Sequence, residues 1–185
     1  MTDVNGAAAP PTPLRAAVVE LERHAHGNGW DQRPTLYALV ETAELVAAEP
    51  GLADRLGLTP DQLVPGSLTP VEQEALGDGP LDDALARIAW PEEVLGCAVV
   101  QEVFVLPPDA EQSRPEEADP VAWAAGHESR REVRMVVGVL RDGASACVLR
   151  LRQPAGEDPD PEEPEVVYGD DLVPNLIAAL RTTLD

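Results

Sequence analysis

Lysine is missing from this chain. All 13 basic residues are arginine, set against 34 carboxylates, for a formal net charge of -21. Without an ammonium side chain, Schiff-base catalysis, a lysine general base and the lysine that grips phosphate in nucleotide-binding loops are excluded together. Three His, two Cys, two Tyr and four Ser leave few other catalytic groups. No GxSxG, GxGxxG, HExxH or CxxC pattern occurs, which removes the commonest nucleophile, dinucleotide and zinc signatures. Aromatics are only 3% of residues, so the core is expected to be aliphatic. No apolar run approaches the ~18 residues of a membrane span. The N-terminus, MTDVNGAAAPPTP, has no hydrophobic stretch of the signal-peptide type. The expectation is a cytoplasmic protein with reduced thiols. A polyanion is repelled by phosphate backbones and by anionic lipid, so neither nucleic acid nor membrane is an expected partner.

What is present suits one domain. The chain has 185 residues, 44% of them hydrophobic, and a domain of that size buries roughly 70% of its unfolded surface. Residues 1–11 read as a disordered tail. Thr12-Pro13 opens a helix whose Leu14, Ala17, Val18, Leu21 and Ala25 recur on one face. Residues 35–42 are strand-like. Ala43 to Leu56 suggests a helix broken at Pro50-Gly51, and Thr59-Pro60 and Thr69-Pro70 each open a further piece. Val71 to Leu76 is expected as a short helix, and Leu81 to Ala89 as another. Gly96 to Leu106 is the clearest buried strand, ended by Pro107-Pro108. Residues 109–130 read as an acidic irregular loop and 153–165 as a Pro-rich acidic linker. A final helix, capped by Asp170-Asp171, turns Leu172, Val173, Leu176, Ile177, Leu180 and Leu184 inward. Between the loops, Asp142-Gly143 separates two apolar runs, the pattern of a two-residue type I′ hairpin. That turn pairs Val139 with Ala146, Met135 with Arg150 and Val133 with Arg152. The predicted fold class is α+β: a single antiparallel sheet of about four strands carrying the N- and C-terminal helices, within a domain spanning residues 12–185.

Candidate sites are few. His24 and His26 diverge by about 200° on a helix, so no metal site is assigned to them. Cys97 and Cys147 lie in apolar strands and read as core residues. In a chain short of cations, Arg131, Arg141, Arg150 and Arg152 are placed by this register on one sheet face, where guanidinium groups can take a carboxylate, a phosphate or an acidic peptide; ion pairing with local Asp and Glu is the competing reading. The loop Trp30-Asp31-Gln32-Arg33-Pro34 puts Trp30, Asp31 and Arg33 at a helix–strand corner, where binding residues are common but where the same residues equally brace the turn. No catalytic residue and no cofactor is assigned.

Several stretches together resemble an actinobacterial family of uncharacterised proteins: Gly29-Trp30-Asp31-Gln32-Arg33-Pro34 with Leu36-Tyr37-Ala38-Leu39-Val40, Trp90-Pro91-Glu92-Glu93-Val94-Leu95-Gly96-Cys97-Ala98, Arg131 to Gly143, and Asp171-Leu172-Val173-Pro174. The likeness spans about residues 12–185. That family has no assigned activity, so it transfers no functional residues. The reading is therefore a non-catalytic binding or adaptor domain, with a protein partner or a homodimer. The alternative is a small enzyme or sensor acting on an anionic ligand through the arginine-bearing face. A third reading is an acidic regulator meeting a basic protein through residues 109–130 and 153–165.

Overall fold

Thr12 accepts a hydrogen bond from the Arg15 backbone N–H, and Pro13 occupies the first turn, so helix α1 (Pro13–Gly27) starts where the sequence predicts. The computed structural model describes residues 11–49, 51–57, 65–74, 76–77, 79–106, 108–153 and 165–185. Residues 1–10 of the predicted tail, Thr59-Pro60 and most of the acidic linker lie outside these. Strands β1 (Thr35–Glu41), β2 (Leu68–Glu72), β3 (Gly96–Val105), β4 (Arg131–Leu140), β5 (Ser145–Leu151) and β6 (Val166–Gly169) form one sheet in the order β2-β1-β3-β4-β5-β6. Every neighbouring pair is antiparallel. Helices α2 (Thr42–Ala48), α3 (Leu52–Leu56), α4 (Leu81–Leu85), α5 (Pro108–Gln112), α6 (Pro120–Gly126) and α7 (Pro174–Thr182) complete the described elements.

The sheet is covered on both faces. Leu14, Ala17, Val18, Leu21 and Ala25 of α1 pack on Leu39, Ala98, Val100, Val136, Ala146 and Val148. On the other face Leu176, Ile177 and Leu180 of α7, with Leu85 of α4, pack on Leu36, Cys97, Val99, Val137, Val139 and Cys147. Burial on two sides is why β3, β4 and β5 read as nearly continuous apolar runs rather than alternating ones. Gly138 marks the closest approach of α1: an added Cβ there would stand 2.7 Å from Val18 Cγ2 and 3.0 Å from Leu14 Cδ1.

The sheet has six strands rather than about four, because two short edge strands lack a strong apolar signal. Residues 68–72, expected to lead into a helix, form β2 instead. It is an edge strand, where Pro70 costs no ladder bond. β6 is only four residues long and follows the acidic linker. The region 109–130 is not wholly irregular, since it contains α5 and α6. Asp119 caps α6 by accepting from the Ala122 N–H at 2.8 Å. Leu81 to Ala89 yields only the single turn of α4. The last helix begins at Pro174, after Val173, and Asp170-Asp171 lie ahead of it in a bend.

The hairpin is also corrected. Leu140 N–H bonds Ala144 O at 2.9 Å, and Gly143 N–H bonds Leu140 O at 3.0 Å. Among the described residues Asp31 alone of the non-glycines has positive φ, so Asp142 cannot form a type I′ turn; Gly143 has φ +93°. The loop is the three-residue Arg141-Asp142-Gly143 type, a turn followed by a left-handed glycine. The register slips by one: Val139 pairs with Ser145, and Arg134 with Arg150. A slip of one exchanges the faces that the two strands share.

Candidate functional site

That slip rebuilds the arginine constellation. Arg150 sits on the α1 face of the sheet, opposite Arg134 on β4. Arg152, just beyond β5, pairs beside Glu132. Arg131 has the same strand parity as Val137 and Val139 and therefore belongs to the α7 face. Arg141 is in the hairpin loop, where Nε donates to Val94 O at 2.9 Å and Nη2 to Trp90 O and Pro91 O at 3.1 Å each, while Nη1 donates to Leu184 O. The four arginines expected on one face are thus divided, and Arg141 ties loop 90–95 to the chain end. Arg134, not singled out from the sequence, joins Arg150 and Arg152.

The loop after α1 lies over this group. Gly29, at φ +87°, and Asp31, at φ +66°, turn the chain sharply. The side chain of Gln32 donates to Ala25 O at 2.8 Å. Glu102 of β3 holds the loop from below: Oε2 accepts from Asp31 N–H at 2.8 Å and Gln32 N–H at 3.1 Å, while Oε1 accepts from Arg134 Nη2 at 2.7 Å and Nε at 3.1 Å. The Arg134 side chain is 0% exposed and that of Glu102 7%. Trp30 stacks with two cations, its ring centroid 4.4 Å from Arg134 Cζ and 5.4 Å from Arg152 Cζ. Arg152 bridges Asp31 and Glu132 at 2.9 and 2.7 Å. Arg150 grips buried Glu22 of α1 with two donors, one at 3.1 Å, and also donates to Glu165. Arg33 is exposed in the same loop.

The electrostatics follow from these contacts. The hydrogen bond from Arg152 holds the Asp31 carboxyl below its ordinary value, with burial opposing it. Asp31 and Glu132 push Arg152 upward, and Glu22 does the same for Arg150. Five carboxylates (Glu22, Asp31, Glu102, Glu132 and Glu165) face three guanidinium groups. One oxygen each of Asp31, Glu102 and Glu132 lies within 4.8 Å of the others, which is metal-ligand spacing. The guanidinium of Arg152 already spans Asp31 and Glu132, however, and Arg134 is bonded to Glu102. What the arrangement does chemically is fasten α1, its trailing loop and three strands together through ionic bonds.

The remaining candidates lie elsewhere. Cys97 and Cys147 are buried, unpaired and on the α7 face, on strands separated by β4. Burial pushes both thiols up, away from the nucleophilic thiolate. His24 bonds Asn28 at 3.2 Å at the exposed end of α1. Glu22, Glu102 and Arg134 carry a signal that can be read in hindsight. Glu22 follows Val18 by four residues on the apolar helix face, and Glu102 and Arg134 interrupt buried strand runs.

The model of a family described as PPA1309-like protein matches residues 14–185, and the description names no activity. No curated protein and no solved structure matches the chain. Among the described residues no helix is long and apolar enough to cross a membrane.

Proposed function

The chain belongs to the PPA1309-like protein family, and for it we propose a non-catalytic role as a binding or adaptor domain. The observation that carries this reading is that the charged groups around Trp30 are spent on one another, Arg134 Nη1 alone among their buried donors lacking an acceptor among the described residues. The guanidinium groups and carboxylates are bonded to one another and to the loop backbone. Reacting groups need an approach for substrate and a displaced pKa matched to the chemistry. Here the displaced values belong to ion pairs that brace the fold, to the two buried thiols and to the buried Tyr37 phenol. The apolar side chains that remain outside, such as Phe104 and Tyr168 at 42% and 46% exposure, suit contact with another protein. That protein is a separate partner or a second copy of the chain, since two-fold dimers are the commonest assembly.

Affinity purification of the full chain from its native host, with mass spectrometry and sedimentation velocity of the purified protein, tests the reading. A stoichiometric partner or a concentration-dependent dimer is expected. The anionic-ligand alternative would be favoured instead by calorimetric binding of inorganic phosphate or citrate that disappears in Arg150→Ala and Arg152→Ala. Five carboxylates around three cations weigh against that result.

A further inference from the structure

β3 is longer than its neighbour β1. The two pair only from Thr35↔Val100 to Leu39↔Gly96, whereas β4 pairs with β3 along its full length to Val105↔Arg131. From Gln101 to Val105, one edge of β3 therefore has no strand partner among the described residues, and no backbone hydrogen bond outside the ladders involves these five residues. The two outer edges of the sheet are blunted in the usual ways, β2 by brevity and Pro70 and β6 by its four-residue length. This inner edge is instead faced by α5 and α6 across a cleft. It spans about 17 Å at ~3.4 Å per residue.

A cleft of about 470 Å³ runs beside it, lined by Glu102 to Leu106 on one side and by Glu111, Arg114, Trp123 and Ala124 on the other. Consecutive strand residues point to alternate faces. A cleft that touches Glu102 to Val105 in a row follows the strand's edge rather than one face, and β4 occupies the opposite edge. Phe104 is 42% exposed there, with Arg130 stacked 5.0 Å from its ring. The indole N–H of Trp123 is shut off from solvent without an acceptor among the described residues, an arrangement that a slight shift of α6 toward an incoming carbonyl would relieve. Residues 108–130 carry six carboxylates against two arginines. Arg114 is committed to Ala118 O at 2.9 Å, while Glu111 is exposed.

We propose that the free edge of β3 at residues 101–105, facing α5 and α6, takes up a basic, extended peptide segment of a partner protein as an added strand. Main-chain bonds to the edge give affinity. Alternate apolar side chains meet Phe104 and Trp123, and arginine or lysine between them meets the exposed carboxylate of Glu111. This rests on the binding-domain reading and names the partner's chemistry.

The test uses the full chain and two synthetic eight-residue probes, one alternating valine with arginine and one alternating valine with glutamate. Amide hydrogen exchange is followed with each, for the wild type and for Phe104→Ser/Glu111→Arg, whose fold is checked by circular dichroism. The arginine peptide is expected to slow exchange at 101–105 at least tenfold, to bind at least tenfold more weakly to the double variant, and to weaken with salt. Equal binding of both peptides, protection confined to the edges of β2 or β6, or protection at 101–105 in a peptide-free dimer would overturn the proposal. Purification from the host with the same variant separates the two levels. A partner retained equally by wild type and variant leaves the adaptor reading standing and removes the cleft; no partner on either, with no peptide binding, removes both.

Discussion

Replacing Arg134 by methionine is the sharpest test of what the network around Trp30 does. The guanidinium is fully buried, and its Nε and Nη2 both bond Glu102. Methionine fills much of the volume but leaves Glu102 Oε1 without a donor in a place where water scarcely reaches. Breaking a buried pair by removing one partner costs about 3–5 kcal/mol. Lost stacking on Trp30 at 4.4 Å adds about 0.5–2 kcal/mol. The two N–H bonds from Asp31 and Gln32 to Oε2 survive and offset part of the loss, so about 4 kcal/mol is expected. That is a large share of the ~5–15 kcal/mol of a typical domain, and corresponds to a Tm lower by about 8–16 °C at this chain length. Glu102→Gln should cost about 3 kcal/mol, because the amide keeps an acceptor for the loop but leaves Arg134 unneutralised. The double variant should be about 2 kcal/mol better than the sum, the coupling expected of touching residues. Urea unfolding followed by far-UV circular dichroism measures all four proteins, with an unchanged slope required for the comparison. A loss under about 1 kcal/mol for Arg134→Met, or strict additivity, would refute a buried, mutually dependent pair.

Gly138→Ala pushes a methyl group into Val18 and Leu14 and should cost about 1–3 kcal/mol in the same unfolding assay, with Val18→Ala restoring part of it; a neutral Gly138→Ala would mean α1 is not seated there. Asp31 has its folded pKa below the ordinary 3.8 because of Arg152. Its contribution is therefore full above that value and lost as pH falls through the lower, folded one; Asp31→Asn should flatten the loss of stability as pH falls below the ordinary 3.8, and an unchanged acid limb would contradict the pairing. Burial raises both thiols, so Cys97 and Cys147 should react with a disulfide reagent at least tenfold more slowly in the native protein than in urea, and fast native labelling of either would place it outside the core.

How much of this is legible in the sequence depends on which physical signal each element carries. α1, β3 and the β4–β5 pair have long apolar patterns and strong caps or turns, and they appear within a residue or two of expectation. β2 and β6 do not, because short edge strands are made by pairing with a neighbour that is distant in sequence: Val40 with Thr69, and Val148 with Tyr168. No local pattern records such pairing. The hairpin shows how one turn residue propagates. Asp-Gly fits both the two-residue loop and the three-residue loop with a left-handed glycine, and the choice moves Arg150 and Arg152 away from Arg131 and Arg141 and beside Arg134. From the sequence, Trp30 and Asp31 mark a corner that either binds or braces. The bracing is visible in the structure, but it needs Glu102, which lies 71 positions from Asp31. The same logic explains why the open β3 edge is not legible. β1 ends its pairing with β3 at Thr35, and the loop before it bonds the Glu102 side chain instead of continuing the ladder. The loop that completes the ionic cluster is thus the same segment that ends the β1–β3 ladder.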